Sequence, residues 1–407
     1  MTGLSIDATS DSVWISVYAD FSFFFLIQET ITAKTFRVSA VFLYPKTLFI
    51  RNVMCRKIKY KNGGIVMMKN GMKNMLRLSS VVAIGLLAAC GNTASESDSS
   101  AATTESEQKQ VYIGILQLTT HPALDQITEG ILDELAAAGY VDGENATIDF
   151  QNAQGDQANM KSIAESFVSH DADIMIGVAT PAAQALKNAS DEIPVILGAV
   201  QDPVGAGLVE SLEAPGSNAT GLSNRTPSNE QMALIKQFLP DATTIGVMYT
   251  TAEDNAIISG QRAEQAAADL GFEVVTKTIT TTNDIAQAAE SLAKEVDAIY
   301  VPNDNVIASG MATLVDAADA FGIPVFPAAD TMVKDGGVAT FAPSQYGMGT
   351  QIGQIAVDIL KGADPATYPV QLVKENSVYI NQAKVDELGL MIPEEVKADA
   401  VFVELAE

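Results

Sequence analysis

Polar turns at the ends of apolar runs are the stretches of this sequence that could do chemistry. They are Thr120-His121-Pro122, Thr180-Pro181, Gln201-Asp202-Pro203, Thr226-Pro227, Val301-Pro302-Asn303-Asp304 and Ala342-Pro343-Ser344. A Thr at an N-cap followed by Pro starts a helix, and the free backbone N–H groups at that start suit a carboxylate or another anion. These turns therefore predict places where an anionic group of a small ligand could bind.

Three carboxylates at strand ends could hold the opposite charge. Asp202, Asp304 and Asp330 follow predicted strands, where they could bind an ammonium group. Helix starts and carboxylates together are what a zwitterionic amino acid needs. Any single turn of this kind is also consistent with ordinary loop structure, so only the set indicates a binding site.

The sequence lacks the residue patterns of the common catalytic sites. His121 and His170 are the only histidines; His121 falls at a strand end, and His170 follows a predicted helix as a surface residue. No Gly-x-Ser-x-Gly turn, His-x-x-x-His spacing or P-loop lysine occurs, and Gly205 and Gly207 do not continue into a dinucleotide fingerprint. We therefore expect binding without turnover, with no cofactor and no metal.

The elements that must position these turns alternate between β-branched runs and helix-length segments. Predicted strands cover 111–116, 146–150, 173–178, 194–200 and 219–222, then 244–249, 273–279, 298–301, 324–326 and 338–341. Predicted helices cover 122–138, 156–169 and 181–189, then 230–238, 255–270, 284–294, 306–321 and 346–360. This order predicts an α/β fold with two doubly wound parallel-sheet lobes, joined by a hinge near 223–225 and separated by a ligand cleft.

The charge distribution argues against nucleic-acid binding. Of 24 Lys and Arg, 11 precede Cys90, whereas only 4 of 50 Asp and Glu do, which leaves a formal charge near −33 from Cys90 onward. Phosphate backbones require clustered basic residues, and these are absent there. Cys55 and Cys90 are the only cysteines, and Trp14 is the only tryptophan. A chain that begins at Cys90 would contain neither a disulfide nor a tryptophan.

Leu87-Ala88-Ala89-Cys90 closes an apolar run that follows Lys69, Lys73 and Arg77. About twelve apolar residues are too few to span a bilayer and are typical of an export signal. The motif resembles the lipobox of bacterial lipoproteins, in which the cysteine thiol is acylated and the cysteine becomes the first residue after cleavage. This predicts a lipoprotein signal peptide over 68–89, a lipid anchor on Cys90 and a Ser-rich disordered tether over 90–110. The alternative is that Cys90 is a small residue that ends an ordinary signal peptide.

Residues 1–67 are basic and mixed in pattern, with short or broken apolar runs. Because a signal peptide must lie at the N-terminus to be read, 67 residues ahead of it are unexpected. We interpret them as a mis-annotated upstream extension, with the true start at Met67, Met68 or Met72. The alternative is an additional domain.

Several stretches in order resemble the substrate-binding lipoproteins of ABC importers, in the family that includes the tryptophan-binding protein of Gram-positive bacteria. They are His121-Pro122-Ala123-Leu124-Asp125, Ala179-Thr180-Pro181-Ala182-Ala183-Gln184, Ala199-Val200-Gln201-Asp202-Pro203, Thr220-Gly221-Leu222-Ser223-Asn224 and Val301-Pro302-Asn303-Asp304-Asn305. The resemblance implies a type I periplasmic-binding-protein fold whose lobes close on a ligand. It also implies exchanged segments: lobe 1 from 111–223 and about 342–368, and lobe 2 from 224–341 and about 369–407.

The resemblance also suggests residue roles. Thr180, with the helix start at Pro181, is predicted to bind a ligand carboxylate, and Asp202 or Asp304 the amino group. His121, Asn303 and Thr226 are predicted to add polar contacts. Asp330 adds negative charge, and Tyr346 faces either an aromatic ligand or the space between the lobes as a helix-start residue.

The expected function is a monomeric, extracytoplasmic solute receptor of an ABC importer, lipid-anchored to the cell membrane beside its permease. The expected ligand is an amino acid, tryptophan or another aromatic or hydrophobic one. Three alternatives remain open at this point: a ligand-sensing lipoprotein of the same fold, a receptor for sugars or nucleosides, and a surface hydrolase. The missing catalytic residues argue against the hydrolase, so the chain is not expected to be an enzyme.

Overall fold

The computed structural model describes residues 110–403 in full, and the backbone of five strands among the first 52 residues. The chain divides into two compact units, Met1–Ala102 and Thr103–Glu407. In the first unit, five strands form an antiparallel sheet in sequence order: β1 (Gly3–Thr9), β2 (Ser12–Ala19), β3 (Phe23–Gln28), β4 (Ser39–Tyr44) and β5 (Thr47–Asn52). The predicted signal peptide, Cys90 and most of the tether lie outside the described residues. They and the proposed start site stay predictions.

The second unit begins with alternating strands and helices. These are β6 (Val111–Gln117), α1 (Pro122–Ala137), β7 (Ala146–Asn152), α2 (Gln157–Ser169), β8 (Ile174–Val178), α3 (Thr180–Ala189), β9 (Val195–Val200), β10 (Ala219–Ser223), α4 (Ser228–Phe238), β11 (Thr244–Thr250), α5 (Asp254–Asp269) and β12 (Glu273–Ile279).

The remaining elements are shorter and less regular. A 3₁₀ turn (Thr282–Asp284) precedes α6 (Ile285–Leu292), β13 (Ala298–Val301), α7 (Asn305–Ala308), α8 (Met311–Asp319), β14 (Val325–Pro327), α9 (Asp330–Lys334), β15 (Ala339–Ala342), α10 (Gln345–Leu360), β16 (Gln371–Leu372), β17 (Ser377–Ile380), α11 (Gln382–Glu387), α12 (Glu394–Lys397) and β18 (Ala400–Phe402). Among the described residues, no helix combines the length and apolar character that crossing a membrane requires.

The first lobe is built on a six-stranded, fully parallel sheet in the order β16-β10-β9-β8-β6-β7. Strands β8 and β9 are buried along their whole length, as expected of apolar strands covered by helices on both faces. Helix α10 returns to this lobe and crosses α1 closely: a side chain on Gly349 would collide with the Ile127 carbonyl oxygen. The glycine lets the two helix backbones pack directly.

The second lobe differs from the expectation of a single doubly wound sheet. It has a four-stranded parallel sheet, β12-β11-β13-β14, and a separate sheet, β15-β17-β18, in which β15 and β17 are antiparallel. The predicted helix over 306–321 is two helices, α7 and α8, broken at Gly310. Glycine weakens a helix, and a side chain at Gly310 would meet Ile285 Cδ1 at 2.6 Å. Helix α9 is absent from the prediction because five residues carry too little periodic signal.

Three chain segments connect the lobes, between β10 and α4, between β15 and α10, and between β16 and β17. Because β16 pairs with β10, the last return to the second lobe follows Leu372, slightly beyond the expected position. Each lobe has its own apolar core. The predicted parallel-sheet α/β class with two lobes is confirmed.

Candidate functional site

A cavity of about 40 Å³ lies between the two lobes, at the carboxyl ends of the parallel strands. The first lobe contributes His121, Ala123, Leu124, Ile127, Ala179, Thr180, Ala199, Gln201 and Asn224 to its lining. The second lobe contributes Asn255, Asn303, Asp304, Asn305, Ala308, Ala329 and Met332, and Gln345 joins them from the start of α10. No Lys or Arg is among these lining residues.

Thr180 marks the positive end of α3 in the first lobe. It is the first helical residue, it is 3% exposed, and its Oγ1 has no hydrogen-bond partner. The N–H groups of a first helical turn have no partner within the helix, and the helix dipole adds positive potential there. This wall can therefore receive an anionic group without any cationic side chain.

Two alanines beside Thr180 have left-handed backbone conformations that side chains rarely adopt. Ala179 has φ 84° and Ala199 has φ 59°, and both line the cavity. Such conformations cost about 1 to 3 kcal/mol for a non-glycine residue and cluster at functional sites. The sequence gives no warning of them, because alanine carries no turn signal.

Asp304 is the acidic group of the opposite wall. It is the N-cap of α7, and its carboxylate accepts hydrogen bonds from the backbone N–H of Ile307, at 2.9 Å, and of Thr250. Burial, together with the nearby Glu253 carboxylate, raises the pKa of Asp304 to about 7. The site therefore contains a carboxyl group that a bound cation would strongly favour in its ionised form.

Glu253 lies behind the cavity wall and organises two amides of its lining. Its Oε2 accepts hydrogen bonds from Asn255 Nδ2 at 3.1 Å and from Asn305 Nδ2 at 2.6 Å. Burial raises the pKa of Glu253. Two acidic groups are thus concentrated on the second-lobe side of the cleft.

The two lobes contact each other directly around the cavity. His121 Nε2 lies 3.1 Å from Asn305 Oδ1, and Arg262 Nη2 donates to Asp202 Oδ2 at 2.6 Å. Gln184 Nε2 also donates to Asp254 Oδ2 at 3.3 Å. Each contact joins a first-lobe residue to a second-lobe residue, so the cleft is nearly closed.

Four of the predicted site residues meet at this cavity: His121, Thr180, Asn303 and Asp304. Thr226 lies directly behind them, because its hydroxyl accepts a hydrogen bond from Asn303 Nδ2 at 2.9 Å and donates to Gln201 Oε1 at 3.1 Å. Thr226 therefore influences the cavity only by positioning Asn303 and Gln201.

Asp202 and Tyr346 do not line the cavity. Asp202 is engaged by Arg262 and by the backbone N–H of Gly205 at 2.9 Å, so its charge is already paired. Tyr346 is 39% exposed, and its hydroxyl donates to Asp133 Oδ2 at 2.8 Å on the surface formed by α1 and α10. The prediction that Tyr346 contacts a ligand is therefore wrong, because Tyr346 lies on the outside of the first lobe.

Pro181 and Asp330 also lie off the lining. Pro181 faces a neighbouring surface groove with Gln184. Asp330 is buried behind Gln345, to which it is hydrogen bonded, and burial raises its pKa. The sequence interpretation assigned no site role to other polar residues at or directly behind the cavity: Gln201, Asn224, Glu253, Asn255, Asn305 and Gln345. Asn305 directly follows the predicted pair Asn303-Asp304, and that run could have included it.

Four cavity-lining side chains have a buried polar atom without a hydrogen-bond partner. They are His121 Nδ1, Thr180 Oγ1, Asn224 Oδ1 and Asn255 Oδ1. Buried polar atoms are normally satisfied, and leaving one unpaired costs about 1 to 3 kcal/mol. Their concentration at one cavity makes it the candidate site for a polar ligand. Among residues 110–403, no cluster of three His, Cys, Asp or Glu could hold a metal ion.

Comparisons with known proteins agree with this architecture. A family model described as ABC transporter substrate binding protein matches residues 112–403. A tyrosine-binding protein of Clostridioides difficile (strain R20291) is 37% identical over 330 residues, which cover 80% of this chain and 94% of that protein. A solved ABC domain from Streptococcus pneumonia in complex with L-Trp is 40% identical, with a TM-score of 0.70, over 72% of this chain and 99% of that one.

A second solved structure provides a conformational contrast. The ligand-free, open structure of a substrate-binding protein with adhesive properties from Clostridium difficile is 38% identical and covers 73% of this chain and 100% of that one. Its TM-score is 0.59, lower than that of the L-Trp complex at similar identity and coverage. The present chain thus superposes better on the L-Trp complex than on the ligand-free, open structure.

Proposed function

The chain belongs to the ABC transporter substrate-binding protein family, and we propose that it captures an aromatic amino acid in the cleft between its lobes. Members of this family are extracytoplasmic solute-binding proteins for small ligands, not enzymes. The observation that carries the proposal is the polarity of the cavity. A helix start lies on the first-lobe wall, and a buried carboxylate on the second-lobe wall, with no lining Lys or Arg.

This polarity fits the two charges of an amino acid. The start of α3 and the unpartnered Thr180 hydroxyl suit the ligand carboxylate. Asp304, with Glu253 behind it, suits the ammonium group, because among the described residues its carboxylate accepts only backbone hydrogen bonds, from Thr250, Val306 and Ile307, and carries no cationic partner. Asp202 lacks this role because Arg262 already pairs with it.

The apolar part of the lining supports an aromatic side chain. Leu124 and Ile127 of α1 and Met332 of α9 provide aliphatic and thioether surfaces, and sulfur packs favourably against aromatic rings. No Phe, Tyr or Trp lines the cavity, so a bound ring would pack against these side chains and not stack on a protein ring. The names of the tyrosine-binding relative and of the L-Trp complex support the same ligand class.

We further propose that the protein is lipid-anchored through Cys90 and delivers its ligand to a membrane permease for import. The motif Leu87-Ala88-Ala89-Cys90 and the Ser-rich tract after it support this proposal. Intact mass of the membrane-associated protein should show an acylated N-terminal Cys90, and a Cys90→Ser variant should be released from the membrane. Retention of that variant on the membrane would contradict the anchor.

Isothermal titration calorimetry of the purified chain tests the ligand class. Tyrosine and tryptophan should bind and should raise the melting temperature, because a ligand that binds only the folded state stabilises it. Leucine, nucleosides and hexoses serve as comparison ligands. Tight binding of a sugar or nucleoside, with no response to aromatic amino acids, would overturn the proposal.

A further inference from the structure

His121 is the buried side chain whose hydrogen-bonding capacity the closed cleft leaves half used. It is the N-cap of α1, it is 5% exposed, and it lines the cavity. Its Nε2 contacts Asn305 of the other lobe, whereas its Nδ1 is buried and has no partner. A ring nitrogen in this position must either meet a ligand atom or remain unsatisfied at a cost.

The neighbours of His121 determine which ring nitrogen carries the proton. Asn305 Nδ2 points to Glu253 Oε2, because the reverse orientation would bring an amide oxygen against a carboxylate oxygen. Asn305 Oδ1 therefore faces His121, so Nε2 must be the protonated nitrogen that donates to it. Burial also lowers the pKa of His121 and favours its neutral form. Nδ1 is consequently a buried hydrogen-bond acceptor without a partner in the described part of the chain, on a residue that lines the cavity.

The position of this acceptor distinguishes it from the acidic groups. His121 lies on the same face of α1 as Leu124 and Ile127, three and six residues further along, which form the apolar wall of the cavity. The carboxyl groups that can accept from an ammonium group are on the opposite lobe, at Asp304 and Glu253. A neutral acceptor beside an apolar wall is suited to a neutral donor on the ligand side chain.

We propose that His121 Nδ1 accepts a hydrogen bond from the ring donor of the ligand, an indole N–H or a phenol O–H, and so selects aromatic amino acids with such a donor. This inference rests on the proposed function, since it concerns the same cavity. It also couples recognition to closure. Asn305 reaches His121 only when the lobes meet, so closure fixes the tautomer that exposes Nδ1 as the acceptor.

The test compares ligands that differ only in the ring donor. The first pair is L-tryptophan and L-3-benzothienylalanine, in which a slightly larger sulfur atom replaces the ring N–H and removes the donor. The second pair is L-tyrosine and L-phenylalanine. Calorimetry on the full chain should show at least about tenfold weaker binding of the analogue without a donor in the pair that the cavity accepts.

Two variants separate the acceptor from the contact between lobes. His121→Gln can keep a donor near the Nε2 position toward Asn305 but has no acceptor at the Nδ1 position. His121→Asn keeps an acceptor near Nδ1 and loses the reach to Asn305. The ratio of affinities within each pair should fall toward one in His121→Gln, and it should persist in His121→Asn even though both ligands bind more weakly.

Three results would overturn the inference. Equal affinities within both pairs for the unmodified protein would show that no ring donor is recognised. An unchanged ratio in His121→Gln would place the acceptor elsewhere. Indole-3-propionate is tryptophan without its α-amino group. If the His121 variants weaken only the binding of ligands that carry this amino group, Nδ1 would be assigned to the ammonium group. If no aromatic amino acid binds at all, it is the proposed function that fails, which is a distinguishable result.

Discussion

The two walls of the cleft are built from similar strand-end turns, but their buried charges differ. In the described part of the chain, the buried carboxylates are Glu253, Asp304 and Asp330, and all three belong to the second lobe. The buried polar side chains of the first-lobe wall, His121, Thr180 and Gln201, are neutral. One lobe therefore offers acidic acceptors, and the other offers a helix start and neutral groups.

This difference shows how two lobes of similar fold can bind a zwitterion in one orientation. A buried carboxylate is costly unless it is hydrogen bonded or paired, and Asp304 is stabilised only by backbone donors until a cation arrives. A helix start needs no charged side chain to favour an anion. The ligand can therefore supply the charge that each wall lacks, and closure brings both walls to it.

The comparison predicts the largest effect for removal of the acidic charge. Asp304→Asn should weaken amino acid binding by about 2 to 3 kcal/mol, roughly 30- to 150-fold, because a charge-assisted hydrogen bond is lost. Calorimetry measures the affinity. Asp297→Asn is the matched control, since Asp297 also accepts backbone hydrogen bonds, from Thr243 and Thr244, but lies outside the cavity lining. Equal losses in both variants would contradict an electrostatic role for Asp304.

The pH dependence should differ in sign between ligand affinity and the stability of the free protein. Because the pKa of Asp304 is about 7 and a ligand ammonium favours its ionised form, affinity should fall as pH drops below 7, by up to about tenfold per pH unit. Protonation of His121 in an open cleft acts in the same direction, because burial lowers its pKa on closure.

The stability of the ligand-free protein should change with pH in the opposite direction at Asp304. A carboxyl group with a raised folded pKa contributes most stability below its unfolded pKa of 3.8 and loses that contribution as pH rises through about 7. Melting curves of the unmodified chain and Asp304→Asn between pH 4 and about 8 isolate this effect on stability.

The outcome that would contradict the affinity prediction is also clear. A ligand affinity that stays constant from pH 5 to about 8 would exclude Asp304 as the ammonium partner.

A smaller effect is expected on the neutral wall. Thr180→Val keeps the shape of the side chain and removes the hydroxyl, which should cost about 1 kcal/mol of binding, roughly fivefold. Thr180→Ser retains the hydroxyl and should stay within about twofold of the unmodified protein. A ligand whose carboxylate is converted to an amide should bind both variants alike. Loss of affinity in Thr180→Ser equal to that in Thr180→Val would indicate packing in place of hydrogen bonding.

The smallest effect should come from the ion pair that joins the lobes outside the cavity. The Arg262 and Asp202 side chains are 26% and 27% exposed, and ion pairs with solvent access contribute at most about 1 kcal/mol. Arg262→Gln should therefore weaken ligand binding by no more than about fivefold, and added salt should reduce the difference. A larger loss that salt does not alter would mean that Arg262 contributes to recognition directly.

Much of the fold was predictable because apolar periodicity and turn residues are local signals. The strand runs of the first lobe and the helix starts at Pro122 and Thr180-Pro181 lie close to their predicted positions. The break at Gly310 and the separate sheet β15-β17-β18 were not predictable, because they depend on packing between segments far apart in sequence.

The candidate site was only partly predictable for the same reason. Asp202 and Asp304 occur in similar Asp-containing turns, but Arg262, 60 residues away in sequence, pairs with Asp202 and leaves Asp304 for the cavity. Tyr346 begins a helix beside the cleft, yet its hydroxyl reaches Asp133 on the outer surface. Residue type indicated polarity in both cases, whereas side-chain direction decided the role.

The sequence by itself determined that this chain forms parallel-sheet lobes with polar turns at their strand ends, because strand and helix periodicity and N-cap chemistry act over a few residues. The tertiary structure alone decided which turns meet. The hydrogen bond of His121 to Asn305, and the burial that shifts the pKa of Asp304, exist only where two distant segments pack together. The charge of a binding wall is set by such long-range contacts, which residue types do not specify.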